Sequence, residues 1–136
     1  MAHGRNEIRG WASESARRKR ELLEEAGGGL TAEEVARRRG LPLVNIEHAR
    51  TAGLLLAVHV ETDEWLYPRL QFDDDAKPLP GLETVLRAFR VEDPWMQLSE
   101  LLTPDPILGN RSIFTMLREQ GEAAIPAALE AVREVG

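Results

Sequence analysis

Residues 30–53 read LTAEEVARRRGLPLVNIEHARTAG, and the fold follows from how this stretch is divided. Thr31 stands three positions ahead of Glu34, the spacing of a capping box. In that motif the hydroxyl accepts from one free amide of the first helical turn and the carboxylate accepts from the other. Leu30 and Val35 flank the box as a hydrophobic staple. A short helix is therefore predicted over Ala32–Arg39, and Gly40 stops it. Leu41-Pro42 begins a second helix that runs to about Ala52, where Gly53 supplies the C-terminal stop. Two short helices joined by a glycine-containing turn make a helix-turn-helix pattern. Ala36 is small enough for close contact within it, and Val35, Leu41 and Ile46 fill the space between the helices.

Upstream, the charge-rich segment to Ala26 predicts a helix whose basic run, Arg17 to Arg20, is offset by Glu21, Glu24 and Glu25. Gly27 to Gly29 end it and form a joint. Downstream, Leu54 to Val60 reads as a strand, Glu61 to Glu64 as a turn and Trp65 to Tyr67 as a returning strand. That hairpin is the expected wing of a winged helix-turn-helix. Pro68 then opens a helical turn carrying Leu70 and Phe72. The run DDDAKPLPG, Asp73 to Gly81, reads as a linker, and its three acids lack the spacing of an EF-hand loop.

Beyond the linker the pattern is helical. Leu82, Val85, Leu86 and Phe89 fall at i, i+3, i+4 and i+7; Trp95, Leu98, Leu101 and Leu102 form a second stripe; Ile125, Ala128, Leu129 and Val132 form a third. Asp93-Pro94 and Ser112 start helices, and Gly109 and Gly121 break them. The expected fold is mainly α: a winged helix-turn-helix with a small β-hairpin, followed by a compact C-terminal helical domain. The expected division is an N-terminal helix and joint over residues 1–29, the winged region over 30–76 and the helical domain over 77–136.

The chain has 136 residues, 17 basic and 23 acidic, with net charge −6, and 43% of it is hydrophobic. A chain of this size buries a real core without disulfides or metals. It has no Cys, which excludes a thiolate nucleophile, a disulfide framework and Cys-ligated zinc. No run approaches 18 apolar residues and the opening MAHGRNEIRG lacks a signal-peptide core, so a cytoplasmic protein without a membrane segment is expected. The charge is uneven: 10 basic and 8 acidic residues up to Val60, then 7 and 15. A +2 half is followed by a −8 half, which suggests two modules with different partners.

No catalytic chemistry is legible. His3, His48 and His59 lack metal-ligand spacing. Ser13, Ser15, Ser99 and Ser112 sit at caps or on helix surfaces rather than in a nucleophile elbow. Gly27 to Gly29 lack the Lys-Ser/Thr pair of a phosphate loop. No enzyme activity, cofactor or metal is expected. For duplex DNA the reading residues would be Asn45, His48 and Arg50 on the second helix, with Arg37, Arg38 and Arg39 meeting the backbone. Glu47 and the acids Glu61, Asp63 and Glu64 on the wing oppose a polyanion. Leu43 and Val44, aliphatic and on the same helix, point instead to a protein contact, and a homo-oligomer joined there is a further expectation.

The order of pieces carries a resemblance over about residues 30–135. LTAEEVARRRGLPLVNIEHARTAGLLLAVHV, LYPRLQFD from Leu66, LPGLETVLRAF, DPWMQLSELLTPDPILGNRSIFTMLREQG and a final Ala-rich helix together resemble the Xre/MbcA/ParS group of antitoxins. The most specific part is Trp95, the Leu101-Leu102-Thr103-Pro104 helix end, Leu108-Gly109 and the Ser112-Ile113-Phe114 start of a helix ending at Gly121. The resemblance implies a helix-turn-helix joined to a toxin-binding domain that neutralises a RES-domain toxin, an NAD-consuming enzyme, by covering its cleft. It also implies that the last helix and tail touch the toxin, through Glu130, Arg133, Glu134, Val135 and Gly136, with possible regulation of the protein's own promoter. Trp95, Leu108, Gly109, Ile113 and Phe114 are expected to build the core. Two departures stand out: Pro42 occupies the place of a Ser or Thr cap, and the would-be reading face is poor in cations.

Overall fold

The computed structural model describes residues 2–133, with side chains from residue 14 onward. The chain is mainly helical, with one small two-stranded antiparallel sheet. Helix α1 (Ala2–Glu25) ends in two left-handed glycines, Gly27 and Gly28. Strand β1 (Gly29–Thr31) follows at once and pairs antiparallel with β2 (Leu66–Pro68), Leu30 opposite Tyr67. A side chain at Gly29 would place its Cβ 3.0 Å from the Leu66 Cβ and 3.2 Å from Leu23. The joint is thus a close-packed crossing, and the Gly28 carbonyl accepts from the Arg69 N–H at 2.9 Å.

Helix α2 (Ala32–Arg39) begins at the expected capping box: Thr31 Oγ1 accepts from the Glu34 N–H, and Glu34 Oε1 accepts from the Thr31 N–H, both at 3.1 Å. It ends at Gly40, left-handed at φ 65°, with the Leu41 N–H donating to the Ala36 carbonyl. Helix α3 (Leu43–Thr51) starts after Pro42, which supplies the right φ but no side-chain cap. Val35, Ala36 and Ile46 are buried between α2 and α3 with Leu30, Leu55, Ala57, Tyr67 and Phe72 around them.

The expected wing differs. Leu54–Val60 is not a strand; its pairing among the described residues is a single bridge, Val58 to Leu66. The reason lies in burial. Leu55, Leu56, Ala57 and Val58 are all buried, so this run threads the core instead of alternating its side chains across a sheet. The main-chain groups of Leu56 go to a side chain: its N–H donates to Gln71 Oε1 at 2.9 Å, and Gln71 Nε2 donates to its carbonyl at 2.7 Å. The returning strand does form, and its partner is β1, from the far side of the helix pair.

The 3-10 turn Arg69–Gln71 follows Pro68. The stretch Asp73–Gly81 is then an ordered turn rather than a spacer. Asp73 Oδ1 accepts from the Asp75 and Lys77 amides at 2.8 and 3.0 Å, Phe72 bridges Pro78, and Ala76 and Leu79 are buried. The bonds from these amides, the Lys77 one foremost, hold the Asp73 carboxyl below its usual range.

Four further helices follow among the described residues: α4 (Leu82–Ala88), α5 (Pro94–Leu102), α6 (Ile113–Gln120) and α7 (Ile125–Arg133). Asp93 caps α5 and Ser112 caps α6 through their side chains. Their inner faces make one core that includes Leu82, Val85, Leu98, Leu101, Phe114, Leu117, Ala128 and Val132. Ala26 of the first connection and Leu56 belong to the same core, with Leu22 and Leu70 packed on it. Arg118 of α6 adds two bonds, donating to the carbonyls of Leu70 and Phe72 at 3.1 and 3.2 Å.

Candidate binding surfaces

On α3, Ile46 is buried and Ala49 packs beside it, so the outward face carries Val44, His48 and Thr51. Val44 is 65% exposed and Leu43 40%. Asn45 is exposed on one flank. Arg50 lies on the other: five positions along an α-helix is a rotation of about 140°. Asn45 and Arg50, two of the three residues expected to read bases, therefore do not share a face. Arg50 is also half-buried, its guanidinium carbon 4.6 Å from the centre of the Trp65 ring. His59 meets the same ring edge-on at 4.6 Å.

Arg50 Nε and the hydroxyl of Tyr67, a fully buried residue, are both shut away from solvent beside one another. Burial pushes the Tyr67 pKa up, and the neighbouring Arg50 cation acts against that rise. A cavity of about 170 Å³ beside them is walled by Glu33, Glu47 and Glu64 as well as Leu43. Three carboxylates around one withdrawn guanidinium make this a poor seat for phosphate, whose binding depends on cations. Arg37 and Arg38 are exposed at the end of α2 and Arg39 is half-buried; there they also complement the negative end of the helix.

The Arg50, Trp65 and Tyr67 cluster was not expected. Nothing in a local pattern announces it, because α3 supplies one member and the segment beyond the acidic turn supplies the other two.

At the other end, α7 buries Ala128, Ala131 and Val132 and leaves Glu130 and Arg133 exposed. These two are i and i+3 on the outer side and make no ion pair among the described residues. Glu134, Val135 and Gly136 lie outside the described residues. Leu108, Ile113 and Phe114 are core, Trp95 packs against it, and Gly109 is the left-handed stop of the 3-10 turn Pro106–Leu108.

Among the described residues, no group of three or more His, Asp or Glu side chains is placed to hold a metal ion, and no helix is long and apolar enough to cross a membrane. Compared with known proteins, the chain matches no family model, no curated protein and no solved structure.

Proposed function

We propose that this chain is a non-catalytic inhibitor, an antitoxin that neutralises a RES-type, NAD-consuming toxin by direct binding through α7 and the residues after it. The observation that carries the reading is the division of labour on α7. Its small residues, Ala128 and Ala131, lock it to the core, and Glu130 and Arg133 face outward and make no ion pair among the described residues. A rigid helix presenting outward charges suits recognition of a protein surface, where charge complementarity sets register and speeds encounter. The order of the sequence motifs supports the same class of protein.

Promoter binding is the weaker role, because Arg50 is drawn in beside Trp65 and acids wall the cavity around it. Self-association through Leu43 and Val44 is a second reading, favoured by their exposure. It predicts that Leu43→Asp changes the mass measured by light scattering and leaves the C-terminal core folded. An unchanged mass removes it.

Co-expression with the product of the adjacent reading frame tests the main proposal. Rescue of growth and a co-purifying complex are expected. An unrelated neighbour, no rescue and no complex would overturn it.

A further inference from the structure

The basic run of α1 is not uniformly paired. Arg17 meets Glu14 and Glu21 at 3.7 and 3.9 Å, and Arg20 meets Glu61 at 3.4 Å. Arg18 and Lys19, between them, take part in no ion pair among the described residues. They also share a stripe. Ser15, Arg18, Lys19 and Leu22 fall at i, i+3, i+4 and i+7, one line along a helix. That line faces Trp95, Met96 and Ser99 of α5 across an open groove of about 360 Å³.

The floor of the groove is firm. Leu22 and Trp95 pack on the main core. The indole is oriented by its Nε1–H, which donates to the His59 carbonyl at 3.3 Å, and the turn that carries it is capped by Asp93. Lys19 Nζ stands 5.8 Å from the indole centre, within reach of a cation–π contact. Met96 is 50% exposed, one of three large apolar side chains so placed among the described residues.

We propose that this groove docks an acidic amphipathic segment of a partner protein, with its apolar side chains on Leu22, Trp95 and Met96 and its carboxylates against Arg18 and Lys19. Charge complementarity selects this occupant. The chain carries net charge −6, yet here two cations, outside any ion pair among the described residues, stand at the rim of an apolar floor. A guanidinium engages a carboxylate through two parallel bonds, a methionine adapts to varied apolar side chains, and two facing helices offer the groove that an amphipathic segment fills. Nucleic acid fits less well: it asks for a track of cations, and Glu14, Glu21 and Glu61 sit on or against the same helix. The surface belongs to α1 and α5, so the proposal stands apart from the reading of α7.

The test is an NMR titration of the full chain with a short synthetic peptide carrying Glu and Asp on one helical face and Leu and Phe on the other. A Lys-for-acid version of the peptide and a single-stranded oligonucleotide serve as comparators. The expected result is a saturable shift of the Trp95 indole N–H and the Met96 methyl with the acidic peptide alone. Arg18→Glu with Lys19→Glu weakens it by about tenfold or more, equivalent to roughly 1.4 kcal/mol. Met96→Ser, which leaves the charges in place, weakens it independently, and circular dichroism of each variant matches the parent. Absence of a saturable shift at Trp95 and Met96, an undiminished response in the folded charge-reversed variant, or a response to the oligonucleotide in place of the peptide overturns the proposal.

Discussion

Replacing Thr31 by Ala removes the oxygen that accepts from the Glu34 amide, and the loss of such a cap costs about 0.5–2 kcal/mol. A lower urea midpoint with unchanged slope is the expected readout. The partner in the box adds a pH dependence. The hydrogen bond from the Thr31 amide, first, and then its hydroxyl hold the Glu34 carboxyl below the ordinary glutamate range. A carboxyl lowered in the folded state stabilises at pH above its unfolded value, and that contribution fades as pH falls through the folded one. The stability gap between the parent and Glu34→Gln is accordingly full at neutral pH and closes in acid; a gap that widens in acid would contradict the assignment. Gly81 is the other decisive single residue. Its φ is +89°, and an added Cβ would lie 3.0 and 3.2 Å from Ile125 side-chain atoms and 3.1 Å from Leu117. Gly81→Ala combines a left-handed cost of about 1–2 kcal/mol with overpacking of about 1–3 kcal/mol, and thermal unfolding should show a clear drop in Tm. The box is legible in the sequence because its members are three apart. The role of Gly81 is not, because its neighbours come from α6 and α7.

Among the elements, the helices and the returning strand were readable and the strand pairing was not, for a physical reason. The helical stripes repeat over two or more turns and carry their own caps at Thr31, Asp93 and Ser112. Strand β1 has three residues, too few to show a period of two, and its partner β2 lies beyond the helix pair. Leu54–Val60 is apolar enough to suggest a strand, but that composition equally suits a run buried on all sides. What takes the place of the ladder is the Gln71 amide, bonded to both main-chain groups of Leu56. Gln71→Leu leaves that N–H and carbonyl buried and unpaired, at roughly 1–3 kcal/mol each. Hydrogen exchange at the Leu56 amide should accelerate in this variant well beyond the global change. An unaltered Leu56 protection factor would show that the contact does not hold the segment.

On the scale of the whole molecule, the charge asymmetry along the sequence suggested two modules joined by a linker, and the packing ties them together. Ala26 and Leu56 sit in the core of the C-terminal helices, Arg118 holds the carbonyls of Leu70 and Phe72, and the Asp73–Gly81 turn is pinned by its own hydrogen bonds. A shared core of this kind unfolds as one unit, so tryptophan fluorescence and far-UV circular dichroism should report coincident urea transitions. Two separated transitions would mean that the halves fold alone. The candidate surfaces divide in the same way: the outward charges of α7 follow from helix periodicity, whereas the withdrawal of Arg50 depends on Trp65 and Tyr67 arriving from another segment. The central claim, inhibition by binding, is tested most directly by the rate of NAD loss catalysed by a purified RES-type enzyme, the proposed partner, as this protein is added. The account predicts inhibition that saturates at a fixed ratio of the two proteins and weakens about tenfold or more, roughly 1.4 kcal/mol, when Glu130→Arg and Arg133→Glu reverse the face of α7. An NAD-loss rate indifferent to this protein would contradict it.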